Sequence, residues 1–345
     1  MKNKTDIEIS NWLPLTVFKE FFGEDNQIEI EINNPINKNK LGVSKEAALE
    51  LIFSNTENNT KLVKLYNEMR NSGFIDNELD EKTIQNIEHW MNRNWFPSIN
   101  TYLFSRKWDF DDNGPDFEEI RDKYLIKFLE ESGEPPLRKV TNGRKLDAPV
   151  SLSKETFGDI LLRRSSSYST KNSEIDQKEL SAVLSKGLEY IRINDTEHAD
   201  DKPNYDYLVG LDRVFDVYIA VFNVTGLKPG IYYYDTRNDL IEIVREGNFR
   251  EEVRSCLIGQ EASITSGACI FLSTDFYRVQ WTYRHERVIR NIYINSGRIM
   301  QSLILLATSF GMKTSITPAI KDSQCLKLLN LDDTESQVLY SLSLS

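Results

Sequence analysis

Between residues 290 and 310 the side chains of Ile292, Ile299, Met300, Leu303, Ile304, Ala307 and Phe310 recur at helical spacing. A period near 3.6 residues gathers them on one stripe, and a stripe of that length is core packing. It predicts a long helix at the centre of a domain. Around it, residues 217–222, 230–234, 268–273 and 336–344 read as strands, and 154–162, 178–185, 249–257 and 322–329 as further helices. Helices and strands alternate from about residue 151 to 345, so the expected class for that stretch is α+β.

Hydrophobic residues make up 40% and aromatics 11% of the 345 positions, enough apolar material for a core. Charge narrows the partners. Lys plus Arg number 42 against 53 Asp plus Glu, a net −11, so no nucleic acid is expected as a partner. The longest apolar runs, such as 303–307, fall short of the ~18–20 residues of a membrane span, and no membrane is expected either. No apolar run follows Lys2 and Lys4, so no secretory signal is expected, and the expected compartment is the cytoplasm. Cys256, Cys269 and Cys325 form no CxxC pair, and His89, His198 and His285 form no i, i+4 pair. Neither a disulfide framework nor a zinc site is expected from them. A Ser-His-Asp hydrolase lacks its G-x-S-x-G turn. Chemistry is left to a bound cofactor or to Tyr, Arg and Lys side chains.

Residues 1–85 read as a small winged-helix-like module. Ile28, Ile30 and Ile32 alternate with polar neighbours over 27–32, as a half-buried strand requires. Ser44 is placed to cap a helix over 45–53, a second helix carries Leu62, Leu65, Tyr66 and Met69, and Gly73 ends it. A DNA-reading version needs a basic helix, yet Lys61, Lys64 and Arg70 are offset by Glu57 and Glu68. This order also resembles the recognition elements of ribosomal-peptide modification enzymes, which accept a leader peptide as an added strand. A structural cap on the larger domain is the other reading. Residues 86–150, with Trp90, Trp95, Phe96, Tyr102 and Phe104, read as a helical connector.

The densest group of functional side chains opens the C-terminal domain: Arg163, Arg164, Ser165, Ser166 and Ser167, directly after a helix. Two guanidiniums beside three hydroxyls suit a phosphate, although the same string also describes a solvated loop. Downstream come a Gly226-Leu227 to Gly230-Ile-Tyr232-Tyr-Tyr234 hairpin and the basic, aromatic run 276–290. Gln301 follows inside the long helix, and then the segment 311–322.

Together these residues resemble the nitroreductase superfamily and, within it, the streptolysin-type (SagB-type) dehydrogenases that oxidise azolines to azoles in modified peptides. The likeness covers roughly residues 150–345. It implies a nitroreductase-like FMN-binding fold behind the N-terminal module, working as a homodimer or as a heterodimer with a homologue. Arg163, Arg164, Ser165 and Ser167 would hold the flavin phosphate, with Gly210, Gln301 and Thr314 completing the cofactor pocket. Tyr283 and Arg284 stand where the family carries a catalytic Lys-Tyr pair, and Tyr283 would serve as proton donor or acceptor if Arg284 or Arg287 lowered its phenol pKa. The implied substrate is a ribosomal peptide with a leader segment, handled in company with a cyclodehydratase. The sequence also departs from the family pattern. The lysine of the pair is missing, only Gly210 of a Pro-Ser-Gly-Gly flavin turn fits, and Ser167 replaces an arginine. These losses open two alternatives: a degenerate partner subunit of an active homologue, or an NAD(P)H-dependent nitroreductase acting on small molecules.

Overall fold

The computed structural model describes residues 17–22, 28–33, 40–44, 71, 81–93, 95–105, 116–132, 136, 139, 141–152, 154–196, 212–283 and 285–345. The chain divides into two compact units, Met1–Gly114 and Pro115–Ser345.

In the first unit, β1 (Val17–Phe22), β2 (Ile28–Asn33) and β3 (Lys40–Ser44) form an antiparallel sheet with β2 in the middle. The alternation expected over 27–32 is realised in β2, where Ile32 is fully buried. Ser44 does not open a helix. It ends β3, paired with Glu29. The two helices expected between 45 and 72 lie outside the described residues, apart from a helical Asn71. Two helices, α1 (Glu81–Asn92) and α2 (Phe96–Ser105), follow. Trp90 meets Trp95 edge-on at 5.7 Å and stacks on Tyr102 at 6.4 Å.

The second unit opens with α3 (Phe117–Ser132), β4 (Arg144–Lys145), α4 (Phe157–Arg163), α5 (Gln177–Gly187) and α6 (Glu189–Thr196). Next come β5 (Phe215–Val221), β6 (Gly230–Asp235), β7 (Leu240–Glu246), α7 (Arg250–Cys256) and α8 (Ala262–Thr265). The rest is β8 (Ala268–Asp275), α9 (Phe276–Thr282), α10 (Val288–Ser309), β9 (Thr314–Thr317), α11 (Asp322–Leu329) and β10 (Ser336–Leu344). The strands pair antiparallel in one sheet of order β4-β7-β6-β5-β8-β10-β9.

Both faces of this sheet are covered, and its central strands β5, β6 and β8 are buried at nearly every position. Val217, Ile219 and Val221 of β5 pack with Leu180 and Leu184 of α5 and with Ile299, Leu303 and Ala307 of α10. Tyr218 and Ala220, one residue out of phase, pack on the opposite side with Val253 of α7 and Leu326 and Leu329 of α11. A bulge between Val338 and Tyr340 shifts the alternation of β10, so that Leu339, Leu342 and Leu344 all join the α10 side. The apolar stripe from Ile292 onward is thus the buried side of a 22-residue helix.

Local chemistry sets the turns. Gly226, at φ +73°, supplies the left-handed residue of the β5–β6 connection. At Gly230 a Cβ would lie 2.7 Å from the Arg245 carbonyl oxygen, so the neighbouring backbone excludes any side chain. Strands β7 and β9 and helices α6 and α9 go beyond the elements expected from sequence. β9 reads Thr-Ser-Ile-Thr and carries no apolar alternation; its pairing with β10 makes it a strand.

Candidate functional site

Helix α4 is seven residues long and capped by Thr156, whose hydroxyl accepts from the Asp159 N–H at 3.2 Å. It ends at Arg163, and Arg164 turns the chain into an extended course with φ −59° and ψ 122°. That course runs alongside β9. Ser166 forms a parallel bridge with Thr314, and the Ser167 N–H donates to the Thr314 carbonyl at 2.9 Å. The Thr314 hydroxyl, in a residue only 3% exposed, donates back to the Ser165 carbonyl at 3.4 Å. The sheet edge therefore joins two segments nearly 150 residues apart, both assigned to one site from sequence.

Extended backbone sends alternate side chains to opposite sides. The Ser165 hydroxyl lies 3.4 Å from that of Ser167, placing the two on one side. Arg163 is anchored to α10: its Nη2 donates to the Thr308 carbonyl at 2.7 Å. Thr308 stands in the last turn of that helix, where carbonyls lack intrahelical donors and a cation is favoured. The same Nη2 donates to Glu155 at 2.5 Å. Arg164 makes no side-chain hydrogen bond or ion pair among the described residues. Arg163 and the Ser165 and Ser167 hydroxyls are donors whose chemistry fits a phosphate, and the alternation that brings the two serines together sends the Arg164 side chain to the opposite side.

The remaining expected residues fall elsewhere. Gln301 sits on the exposed side of α10, seven residues and about 10 Å of helix before Thr308. Tyr283 ends α9, five residues before α10 begins, so about 30 Å of helix separates its end of α10 from Thr308. It is partly buried against the core and meets the His285 ring at 6.0 Å. Burial raises its phenol pKa, and Arg213 opposes that only in part. Desolvation outweighs the positive charge of Arg213. Gly210 and Arg284 lie outside the described residues.

Sequence reasoning missed Glu155, the Thr308 carbonyl and a cleft of about 250 Å³ between α10 and β10. Tyr293, Ser296, Pro318, Asp322, Gln337 and Tyr340 line that cleft. It borders the end of β9 opposite to Thr314, about 13 Å along the strand from the serine cluster. No local signal in 293–296 or 337–340 announces it, since its walls come from three separate stretches.

The Nitroreductase family matches residues 217–344. The trifolitoxin operon protein TfxC of Rhizobium leguminosarum bv. trifolii is 28% identical over 260 residues, covering 72% of this chain and 71% of that protein. Among solved structures, a protein of Anabaena variabilis solved under the nitroreductase name is similar, with a TM-score of 0.46 and 24% identity. That match covers 64% of this chain and 46% of the other, so this chain spans less than half of that one. A chain of the Escherichia coli microcin synthetase McbBCD complex with truncated pro-MccB17 bound has a TM-score of 0.44 and 16% identity, covering 68% of this chain and 94% of that one. The second unit, which contains the residues matched by that family, has a nitroreductase-like α+β fold with a large antiparallel sheet. Among the described residues no helix is long and apolar enough to cross a membrane.

Proposed function

We propose that the chain is an FMN-dependent oxidoreductase of the SagB type, acting on a ribosomally made peptide, with azoline-to-azole oxidation as its reaction. The single observation behind this reading is the junction of the 163–167 segment with Thr314 at the sheet edge. The 28% identity with a protein named for a trifolitoxin operon supports a setting in peptide modification, with a leader-bearing substrate and a cyclodehydratase as company.

In this reading Arg163, Ser165 and Ser167 hold the phosphate, Arg164 adds positive charge, and Thr314 fixes the segment. The cleft bordered by Pro318 and Tyr293 takes the ring end, and Gln301 and Gly210 contribute to the same pocket. FMN, when bound, supplies the two-electron oxidation of the substrate C–H. The chain's own task is orientation and the management of one proton, which falls to Tyr283 and Arg284. With its phenol pKa raised, Tyr283 works as a neutral hydroxyl that gives its proton as it receives another. The protein works as a dimer with a second copy or a homologue. Phe157 (64% exposed), Leu162 (89%) and Ile294 (65%) leave apolar surface on α4 and α10 for such a partner to cover. The three-stranded sheet of the first unit, with β1 and β3 at its edges, is the candidate for capturing a leader segment as an added strand.

Titration of the purified chain with FMN, read by flavin fluorescence and absorbance, tests the reading. Wild-type protein should retain FMN, and the Arg163→Ala/Arg164→Ala variant should lose most of it, about tenfold or more in affinity. A chain that stays colourless in excess FMN overturns the flavin assignment. The degenerate-partner reading is favoured by one observation, that Arg163 is already held by Glu155. Co-purification of a flavin-bearing homologue with a colourless chain would establish it.

A further inference from the structure

Resting on the phosphate reading of the 163–167 cluster, we propose that Glu155 is a built-in competitor for the anion, a carboxylate on Arg163 that weakens phosphate capture. Glu155 lies just before the Thr156 cap, at the opposite end of α4 from Arg163. A helical side chain leans toward the N-terminus, and the Arg163 guanidinium reaches back along α4 to meet Glu155 Oε2 at 2.5 Å. Thr308 holds the same nitrogen at 2.7 Å. The carbonyl is a fixed structural partner. The carboxylate is not, because it is partly exposed, at 36%, and lies on a flexible side chain outside the helix.

Two consequences follow from charge alone. A phosphate arriving at Nη2 must displace Glu155. One arriving at the other guanidinium edge must sit beside a like charge held in place by the same arginine. Either route costs affinity, and neither affects a neutral ligand. The pair is also solvent-exposed, so its own strength is small enough for a dianion to compete against it. Glu155 therefore sets the threshold at which the cluster accepts an anion.

The test compares full-length wild-type chain with Glu155→Gln, Glu155→Ala and Glu155→Gln/Arg163→Ala. Inorganic phosphate, FMN and riboflavin are the probes, and thermal unfolding checks that each variant folds. Removing the carboxylate should tighten phosphate and FMN about three- to tenfold and leave riboflavin unchanged. The gain should vanish in the double variant. Unchanged or weaker phosphate binding in Glu155→Gln overturns the proposal, as does absence of phosphate binding in every variant. If phosphate tightens while no variant holds FMN, the competitor role stands and the flavin assignment falls. If FMN binds and Glu155→Gln leaves its affinity unmoved, the flavin assignment stands and the competitor role falls.

Discussion

Arg278 shows what a buried charge demands of its surroundings. It is 3% exposed and forms ion pairs with Asp216 and with Asp275, the latter at 3.2 Å. Its Nη1 donates to the Arg213 carbonyl at 2.8 Å. The Tyr233 hydroxyl, with one proton to give, lies 2.9 Å from the Lys139 carbonyl and 3.2 Å from Asp216, tying the far side of the network to the sheet. Burial alone would pull the Arg278 pKa down, yet the two carboxylates outweigh it and raise it. Truncating one partner of such a set strands the others, at a cost of about 3–5 kcal/mol. Arg278→Ala should lose that much in urea unfolding, and a loss below about 1 kcal/mol would mean that water enters and replaces the guanidinium. The sequence showed Arg278 only as one member of a basic, aromatic run. Its burial depends on Asp216, 62 residues earlier, a pairing that no local pattern marks.

At the scale of elements, α5 and α10 meet tightly at Gly187, where a Cβ would stand 2.7 Å from Leu303 Cδ2. Leu303 is fully buried, so Leu303→Ala should cost about 2–5 kcal/mol. Gly187→Ala alone overpacks the same contact, by about 1–3 kcal/mol. Combined, the added methyl occupies space that the leucine vacates, and the double variant should be more stable than additivity allows. Strict additivity in chemical denaturation would show that the helices shift apart instead. This contact also marks how far the sequence could be read. The α10 stripe, the central strands and α11 were legible because apolar period and length agree there. β9 was not, because four residues with one isoleucine carry no period. The site divides along the same line: the arginine-serine string was visible as chemistry, but its junction with Thr314 exists only through sheet pairing. Glu155 was invisible as a partner, because an i, i+8 contact around a helix end has no sequence signature.

Across the folded second unit, tyrosine ionisation links packing to alkaline stability. Among its described residues, Tyr218, Tyr232, Tyr234 and Tyr283 have phenol pKa values raised above the ordinary value, burial being the leading cause in each. For Tyr218 the Asp216 carboxylate adds to it, and for Tyr234 the Asp239 carboxylate does, accepting the phenol proton at 2.5 Å. An unfolded tyrosine ionises near pH ~10. Between that value and the higher folded one, the unfolded chain releases protons that the folded chain keeps. Stability is therefore fully present below pH ~10 and falls as pH rises beyond it, by up to about 1.4 kcal/mol per pH unit for each such group. The share of phenolate absorbance that belongs to these four, read as the difference between wild type and their Tyr→Phe variants, should thus appear together with loss of structure, not before it. Tyr234→Phe should flatten the pH dependence, since it removes a phenol that the fold keeps protonated. If Tyr232, Tyr234 and Tyr283, which share the α10 face of the core, titrate near pH ~10 while unfolding free energy stays constant, water reaches that face and makes Tyr283 available as a phenolate base after all.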